Sequence, residues 1–485
     1  MSKLKLTNFS RMVPENPEAS PKNQHYSISG VDPFYYLNQS AIQEQKYAPL
    51  AASKTFVTQG SYAAAQLLGM VPNTVSNVPV ITFRNDGSVY GESTSGIVTN
   101  YTTLGSPTGG AIAANQGCRI CIFAGYVLWI YSASASLYYN TITSPSAIAW
   151  LTVAGLHLNG GAGNRYLKNF LDFCAISDCD GTTKTANHVV MKLSPSLTLS
   201  QGIDLGIGWN ISGMENLNNR YLAVAGAYAS DGLYGSALSS DINYLFLWNG
   251  ISARYNTSIR IPGVFVDMKC VGDQLFVLVT ERGVQQALYQ LVGNSLRRLF
   301  PLAIDFAYTA TPSTLFGYEL FTYNNLVGIN LSTKGQYMYN PVSKEKFILT
   351  ANTFDSLQQV KSTGELWAVN SGGITGLSFY TGTTYSPISY RSQWLDFKDP
   401  KQIVVKYATP PASGDSIQVT LDGFDEDGTA SAALALTPIT NLTKYNAYKT
   451  PLDCQGFQGK LVRVTLTTVS ASGWQPILRE IELIN

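Results

Sequence analysis

Charge is scarce in this chain. Of 485 residues only 13% are Asp, Glu, Lys or Arg, about half the roughly 25% of an average soluble protein. The formal net charge is +1, which leaves no electrostatic footprint for nucleic acid or for an anionic membrane. Histidine is scarcer still: His25, His157 and His188 are the only three, and they show no His-x-x-x-His or His-Glu-x-x-His spacing. No run reaches the eighteen or so consecutive apolar residues that span a bilayer, so membrane insertion is not expected. The opening residues, Met1-Ser-Lys-Leu-Lys-Leu-Thr-Asn-Phe9, lack the apolar stretch of a signal peptide. Synthesis and assembly in the cytosol are therefore expected, and triplets such as Asn210-Ile-Ser212 then carry no glycosylation meaning.

Cysteine is present but not patterned for a metal. Cys118 and Cys121 form a Cys-x-x-Cys inside the apolar strand Cys118-Arg-Ile-Cys-Ile-Phe123. Residues three apart on a strand point to opposite faces, and no second pair or nearby histidine completes a zinc site. Buried, reduced thiols are expected. Cys174 and Cys179 come near enough in sequence to meet across a loop, although a cytosolic origin disfavours a disulfide.

What the chain does have is a repeat. A short apolar strand, followed ten to twenty-odd residues later by a second strand ending at a turn, recurs six times between Tyr126 and Tyr380. The first strands read Tyr126-Val-Leu-Trp-Ile130, Phe170-Leu-Asp-Phe-Cys174, Tyr221-Leu-Ala-Val224, Gln274-Leu-Phe-Val-Leu278, Tyr318-Glu-Leu-Phe321 and Glu365-Leu-Trp-Ala-Val369. One apolar residue from each (Val127, Leu171, Leu222, Leu275, Leu320, Leu366) gives spacings of 44, 51, 53, 45 and 46. A period of 40 to 50 residues built from short strands predicts a β-propeller of six or seven blades with about four strands in each. Two repeats superpose directly: Leu245-Phe-Leu-Trp-Asn-Gly-Ile-Ser-Ala-Arg254 and Leu288-Tyr-Gln-Leu-Val-Gly-Asn-Ser-Leu-Arg297, each read as a hairpin with a Gly/Asn turn. Looser copies occur at Gly335–Ile348, Ser136–Asn140 and Leu377–Gly382.

The repeat has flanks of different texture. Residues 1–55 are polar, with Pro14, Pro17, Pro21 and Pro33 among isolated apolar groups such as Phe9, Phe34 and Tyr35. They read as an extended N-terminal arm lying on its own domain or on a neighbouring subunit. Residues 56–389 then form the propeller, with Val78-Pro-Val-Ile-Thr-Phe83 and the turn at Asn85-Asp-Gly87 supplying a further blade or the closing strand. Past residue 390 the period stops. Alternating strands such as Ser416-Ile-Gln-Val-Thr-Leu421 and Lys460-Leu-Val-Arg-Val-Thr-Leu466 predict a separate β-sandwich over 390–485.

Chemistry is sought and mostly not found. No Gly-x-Ser-x-Gly elbow accompanies the three histidines, and Gly160-Gly-Ala-Gly-Asn164 lacks the Lys-Ser/Thr of a phosphate loop, so it reads as a connection between blades. The turn carrying Asp422, Asp425, Glu426 and Asp427 offers hard oxygen ligands for Ca²⁺, but its spacing is offset from the known loop pattern and no closing Glu follows. A solvated hairpin tip is expected there. The seven tryptophans (129, 150, 209, 248, 367, 394 and 474) mostly sit in apolar strands and are read as packing. No catalytic residue, no metal, no cofactor and no enzymatic activity are expected. Trp474, Tyr445 and Tyr448 are the candidate glycan contacts if the C-terminal domain binds carbohydrate.

The order of parts, with Ser392-Gln-Trp-Leu-Asp-Phe397 and Asp399-Pro-Lys-Gln-Ile-Val-Val-Lys406 at the junction and the hairpins above, resembles tailed-bacteriophage virion structural proteins of the β-propeller tail type, such as the tail nozzle. The resemblance covers about residues 100–485 and carries over no functional residue. It implies a virion component assembled in the host cytoplasm as a ring of copies. Its partners would be other tail or connector proteins, with DNA passing through the channel without sequence-specific contacts. A receptor- or carbohydrate-binding virion protein is the alternative.

Overall fold

A computed structural model describes residues 2–6, 25–29, 50–51, 57–59, 67–73, 78, 80–84, 89–93, 96–97, 118–131, 136–142, 151–156, 166–180, 187–228, 242–281, 285–302, 318–331, 335–342, 344, 346–350, 356–360, 364–370, 376–379, 385–425, 427–471 and 473–485. Among these the chain is all β, with no helix. Contacts divide it into two units, one of Met1–Val57, Thr333–Thr353 and Tyr380–Asn485, the other of Thr58–Ser332 and Phe354–Phe379.

Seven four-stranded antiparallel sheets follow the repeat. Sheet I runs Leu67–Pro72, Val80–Arg84, Val89–Ser93, Gly96–Ile97; sheet II runs Cys118–Phe123, Tyr126–Tyr131, Leu137–Thr141, Leu151–Val153. Sheet III is Leu167–Phe170, Phe173–Asp180, Asn187–Leu193, Leu199–Ile207; sheet IV is Trp209–Leu217, Tyr221–Tyr228, Asn243–Trp248, Thr257–Ile261. Sheet V comprises Val264–Val271, Gln274–Glu281, Gln285–Val292, Ser295–Pro301; sheet VI comprises Tyr318–Tyr323, Leu326–Leu331, Gly335–Tyr339, Lys346–Thr350. Sheet VII takes Ser356–Gln359, Leu366–Asn370 and Gly376–Phe379 from late in the chain and its fourth strand, Val57–Gln59, from early in it. The first strands of sheets I to VII touch one another in order, and that of VII returns to that of I. Sheets of four strands whose first strands close a cycle make a β-propeller.

Local sequence explains the tight hairpins that open sheets II and VI. Ala124 and Gly125 (φ 48° and 83°), and Asn324 and Asn325 (φ 46° and 63°), join first to second strands with both residues left-handed. That conformation matches strand twist and favours Gly and Asn. Between the sheets the fit is close. A Cβ at Gly202 of sheet III would lie 2.5 Å from the Val190 carbonyl and 2.7 Å from the Trp248 ring of sheet IV, so only glycine seats that tryptophan. Trp129, Trp248 and Trp367 are fully buried, one in each of sheets II, IV and VII.

Several expectations are corrected in detail. Of the six segments named as first strands, those at Tyr126, Tyr221, Gln274 and Leu366 are second strands of their sheets, Tyr318–Phe321 lies in a first strand, and Phe170–Cys174 straddles a turn, with Leu171 left-handed at φ 53°. Of the two alternatives for the segment that begins at Val78, Val80–Arg84 belongs to a further four-stranded sheet, and the early strand that completes a late sheet is Val57–Gln59. The connection after Leu245–Trp248 is not a two-residue turn. It runs to Thr257, folded by the Asn249 carboxamide oxygen, which accepts from the Ile251 and Ser252 amides at 3.0 Å. Gln285–Val292 and Ser295–Pro301 do meet across Gly293-Asn294 as expected.

Two further antiparallel sheets are formed among the described residues. Sheet VIII is ordered Lys3–Leu6, Ile477–Ile484, Gln402–Tyr407, Lys449–Asp453, with Leu50–Ala51 also on Ile477–Ile484. Sheet IX is ordered His25–Ser29, Ser389–Ser392, Leu461–Val469, Ser416–Phe424, Ala430–Ala435, with Leu395–Asp396 also on Leu461–Val469. One apolar cluster draws on both, including Leu6, Tyr390, Val405, Val419, Val464, Trp474 and Leu483. The described parts of the first 55 residues are strands paired within this chain's own sheets. Lys3 and Lys5 pair with the buried Glu482 and Glu480 at 3.4 and 3.5 Å, and Leu6 enters the core, which is what docks that strand.

Candidate functional site

The first strands of the propeller sheets carry a set of five charged groups, Lys168, Glu215, Asp267, Lys269 and Glu319. Glu215 of sheet IV is buried, and Lys168 of sheet III donates to its Oε2 at 2.6 Å. In sheet V, Asp267 Oδ2 accepts the Leu320 amide of sheet VI at 2.7 Å. In sheet VI, Glu319 Oε1 accepts the Leu357 amide of sheet VII at 2.6 Å. Neutral amides continue the pattern the other way: Asn169 donates to the Ile122 carbonyl at 2.6 Å, and Asn216 to the Asn169 carbonyl at 2.9 Å. Between sheets II and III, III and IV, V and VI, and VI and VII, first strands therefore reach one another through a side chain, since a first strand has an open edge whose polar groups need partners.

Lys269 sits at the electrostatic centre of this set. Burial pulls its pKa down, but the carboxylates of Glu215, Asp267 and Glu319 outweigh that and hold it above the ordinary value of 10.5. Burial pushes the Asp267 carboxyl up from its ordinary 3.8, against the Leu320 amide and the Lys269 charge, which favour the anion. Two cations and three carboxylates thus compensate one another on a frame of four strands. Desolvated charge of both signs orders those strands. Sequence reasoning passed over this set. A signal existed: Glu215, Asp267 and Glu319 are acidic residues inside apolar strands at equal intervals of 52.

The candidates named from sequence lie elsewhere and apart. Trp474 is buried, with its indole N–H donated to Thr409 Oγ1 at 3.2 Å, so it is no stacking platform. Tyr445 and Tyr448 are 70% and 64% exposed on the loop after Pro438. That loop is braced: Asn446 Oδ1 accepts the Tyr448 and Lys449 amides at 2.9 and 2.8 Å, and Tyr407 donates to the Asn446 carbonyl at 2.8 Å. At the acidic turn Asp425 and Asp427 are exposed, and Asp427 accepts the Thr429 amide at 3.3 Å, while Glu426 lies outside the described residues. Among the described residues no three His, Cys, Asp or Glu side chains gather as a metal would need. His188 is buried in sheet III and His25 is on a strand of sheet IX; His157, Trp150 and Gly160–Asn164 fall outside the described residues. Cys174 and Cys179 share one strand, Phe173–Asp180, five residues apart, so they do not face each other across a loop. Cys174 meets Cys121 instead, Sγ to Sγ 3.7 Å.

No family model matches the chain, and no curated protein matches it. Among solved structures it is similar to streptogramin B lyase, with TM-score 0.46 and 9% identity over 67% of this chain and 97% of that one. It is also similar to virginiamycin B lyase from Staphylococcus aureus (TM-score 0.44, 10% identity, 67% and 98%). A third is Sqt1 of Saccharomyces cerevisiae (TM-score 0.42, 12% identity, 70% and 96%). These are β-propeller proteins, and none is described as a virion component. Two are enzymes by name, and the expectation that the chain has no enzymatic activity is withdrawn. At such low identity the likeness assigns this chain no reaction.

Proposed function

We propose that the chain is a seven-bladed propeller, one blade per four-stranded sheet, bearing a β-sandwich formed by sheets VIII and IX. We further propose that it works as a structural component of a tailed-phage virion, in a nozzle- or connector-like ring of its own copies with other tail proteins. The observation that carries the assembly reading is the surface. Large apolar side chains stand open on a chain only 13% charged: Val342 is 89% exposed, Leu442 87% and Ile251 83%. Packing of copies against one another would take such side chains out of water. The setting comes from the resemblance of the sequence. Light scattering of the purified full chain, with electron micrographs of the same sample, tests it. Closed rings of fixed copy number are expected. A monomer at every concentration, alone and with the portal and tail proteins of its source, would overturn it.

The braced, exposed pair Tyr445 and Tyr448 supports one second reading, carbohydrate binding at that loop. Trp474 is removed from that proposal by its burial. A glycan array read with the native chain and with Tyr445→Ala and Tyr448→Ala decides it: binding lost in both variants supports the reading, and no glycan retained by the native chain ends it.

A further inference from the structure

Cys121 and Cys174 are 53 residues apart, one repeat, and belong to different sheets: Cys121 to the first strand of sheet II, Cys174 to the second strand of sheet III. Their Sγ atoms are in van der Waals contact at 3.7 Å. Around them, Cys121 Sγ faces Asn169 Oδ1 at 3.9 Å and Cys174 Sγ faces the Ala175 carbonyl at 3.8 Å. Cys174 is fully buried in the cluster that packs sheet II on sheet III, with Leu128, Ile130, Ile176 and Leu193, while Cys121 lies at its border, half-buried. The other described thiols have no such neighbour. Cys270 faces Asn218 Oδ1 and the Gly272 carbonyl, and Cys454 the Leu452 carbonyl.

We propose that Cys121 and Cys174 form an oxidation site at which a low-molecular-weight disulfide joins sheets II and III covalently. The bond requires the sulfurs to close to about 2.05 Å, a movement within reach of side-chain rotation because no atom separates them. Cys121 is the attacking thiol, because Cys174 is out of reach of solvent. Its hydrogen bond with Cys121 and its burial also hold the Cys174 pKa well above the ordinary 9.0. Cys121, as thiolate, attacks one sulfur of the small disulfide and expels one thiolate, giving a mixed disulfide. Cys174 then gives up its proton, attacks Cys121 Sγ and expels the second thiolate. The protein loses two protons and two electrons, and the small disulfide takes them up as two thiols. The product is a staple between adjacent sheets of the ring.

The test is to incubate the folded full chain with oxidised glutathione, alkylate the remaining thiols, and map the peptides. The expected product joins the Cys121 and Cys174 peptides, with an intact mass lower by two hydrogens. The melting temperature should rise by about 5 °C and return on adding dithiothreitol. Cys121→Ser and Cys174→Ser should each abolish the rise, and Cys270→Ser should leave it. The peptide map of the native chain decides without relying on any variant. Two unmodified thiols, a glutathione adduct that persists on Cys121, or a bond from either residue to a third cysteine would each overturn the proposal.

Discussion

Gln274–Glu281 of sheet V has six consecutive buried residues between half-buried ends, while Leu461–Val469 of sheet IX alternates buried and open residue by residue. Both are central antiparallel strands rich in Val and Leu. The difference is what covers them. A middle strand of the ring has a neighbouring sheet on each face, so both sets of side chains must be apolar. A strand of sheet IX turns one face to the cluster it shares with sheet VIII and the other to water, so its pattern has period two. An apolar run and an apolar alternation are thus two readings of the same element in two surroundings.

Substitutions at neighbouring positions would break that contrast most visibly. Val277→Ala and Leu278→Ala, on opposite faces of one strand, should each cost about 2–3 kcal/mol, because both side chains are fully buried. In sheet IX, Leu466→Ala should cost as much, while the exposed Thr467→Ala should stay within about 0.5 kcal/mol. Denaturant titration of the four variants checks this, and a tolerant position in the pair at 277 and 278 would refute the two-sided burial of sheet V. Gly202→Ala tests the contact between sheets III and IV. The added methyl meets the Val190 carbonyl and the Trp248 ring, so a loss of about 1–3 kcal/mol is expected, with a shift in tryptophan fluorescence.

Smaller effects should follow from the charges. Glu215→Gln removes the carboxylate that Lys168 and Lys269 face, and a loss of about 2 kcal/mol is expected, partly restored when Lys168→Gln is added. The smallest effect concerns sheet VIII. Burial raises the Glu482 pKa, but Lys406, Lys3 and Lys5 together bring it below the ordinary 4.5. A depressed carboxylate contributes stability in full above its unfolded value and loses it as pH falls through the folded one. Protection of the Lys3–Leu6 amides, measured relative to their intrinsic exchange rates at each pH, should therefore fall below about pH 4.5, with no matching change in the middle strands of sheet V.

How much was legible follows from these surroundings. The period could be read because each sheet contributes an apolar run near Val127, Leu222, Leu275 or Leu366. At sheet VI the reading slipped by one strand, since Tyr318–Tyr323 and Leu326–Leu331 are both apolar and only the Asn324-Asn325 turn separates them. The alternation after residue 390 marked a second kind of sheet, but not the strands that complete it. Lys3–Leu6 and Leu50–Ala51 are too short to announce themselves and exist through pairing with Ile477–Ile484. The glycan candidates separated for a similar reason: Trp474 and Tyr445 look alike in sequence, and only the fold puts one inside.

The sequence by itself determined the all-β class, the repeating sheets and the change of texture near residue 390. Hydrophobic periodicity and turn residues are local properties of a chain. The tertiary structure alone decided which sheets adjoin. From that come the closure of the ring by Val57–Gln59, the compensation of Lys269 by three carboxylates, and the contact of Cys121 with Cys174. Each joins groups on different strands or sheets, and a partner fixed by packing leaves no local trace in either segment.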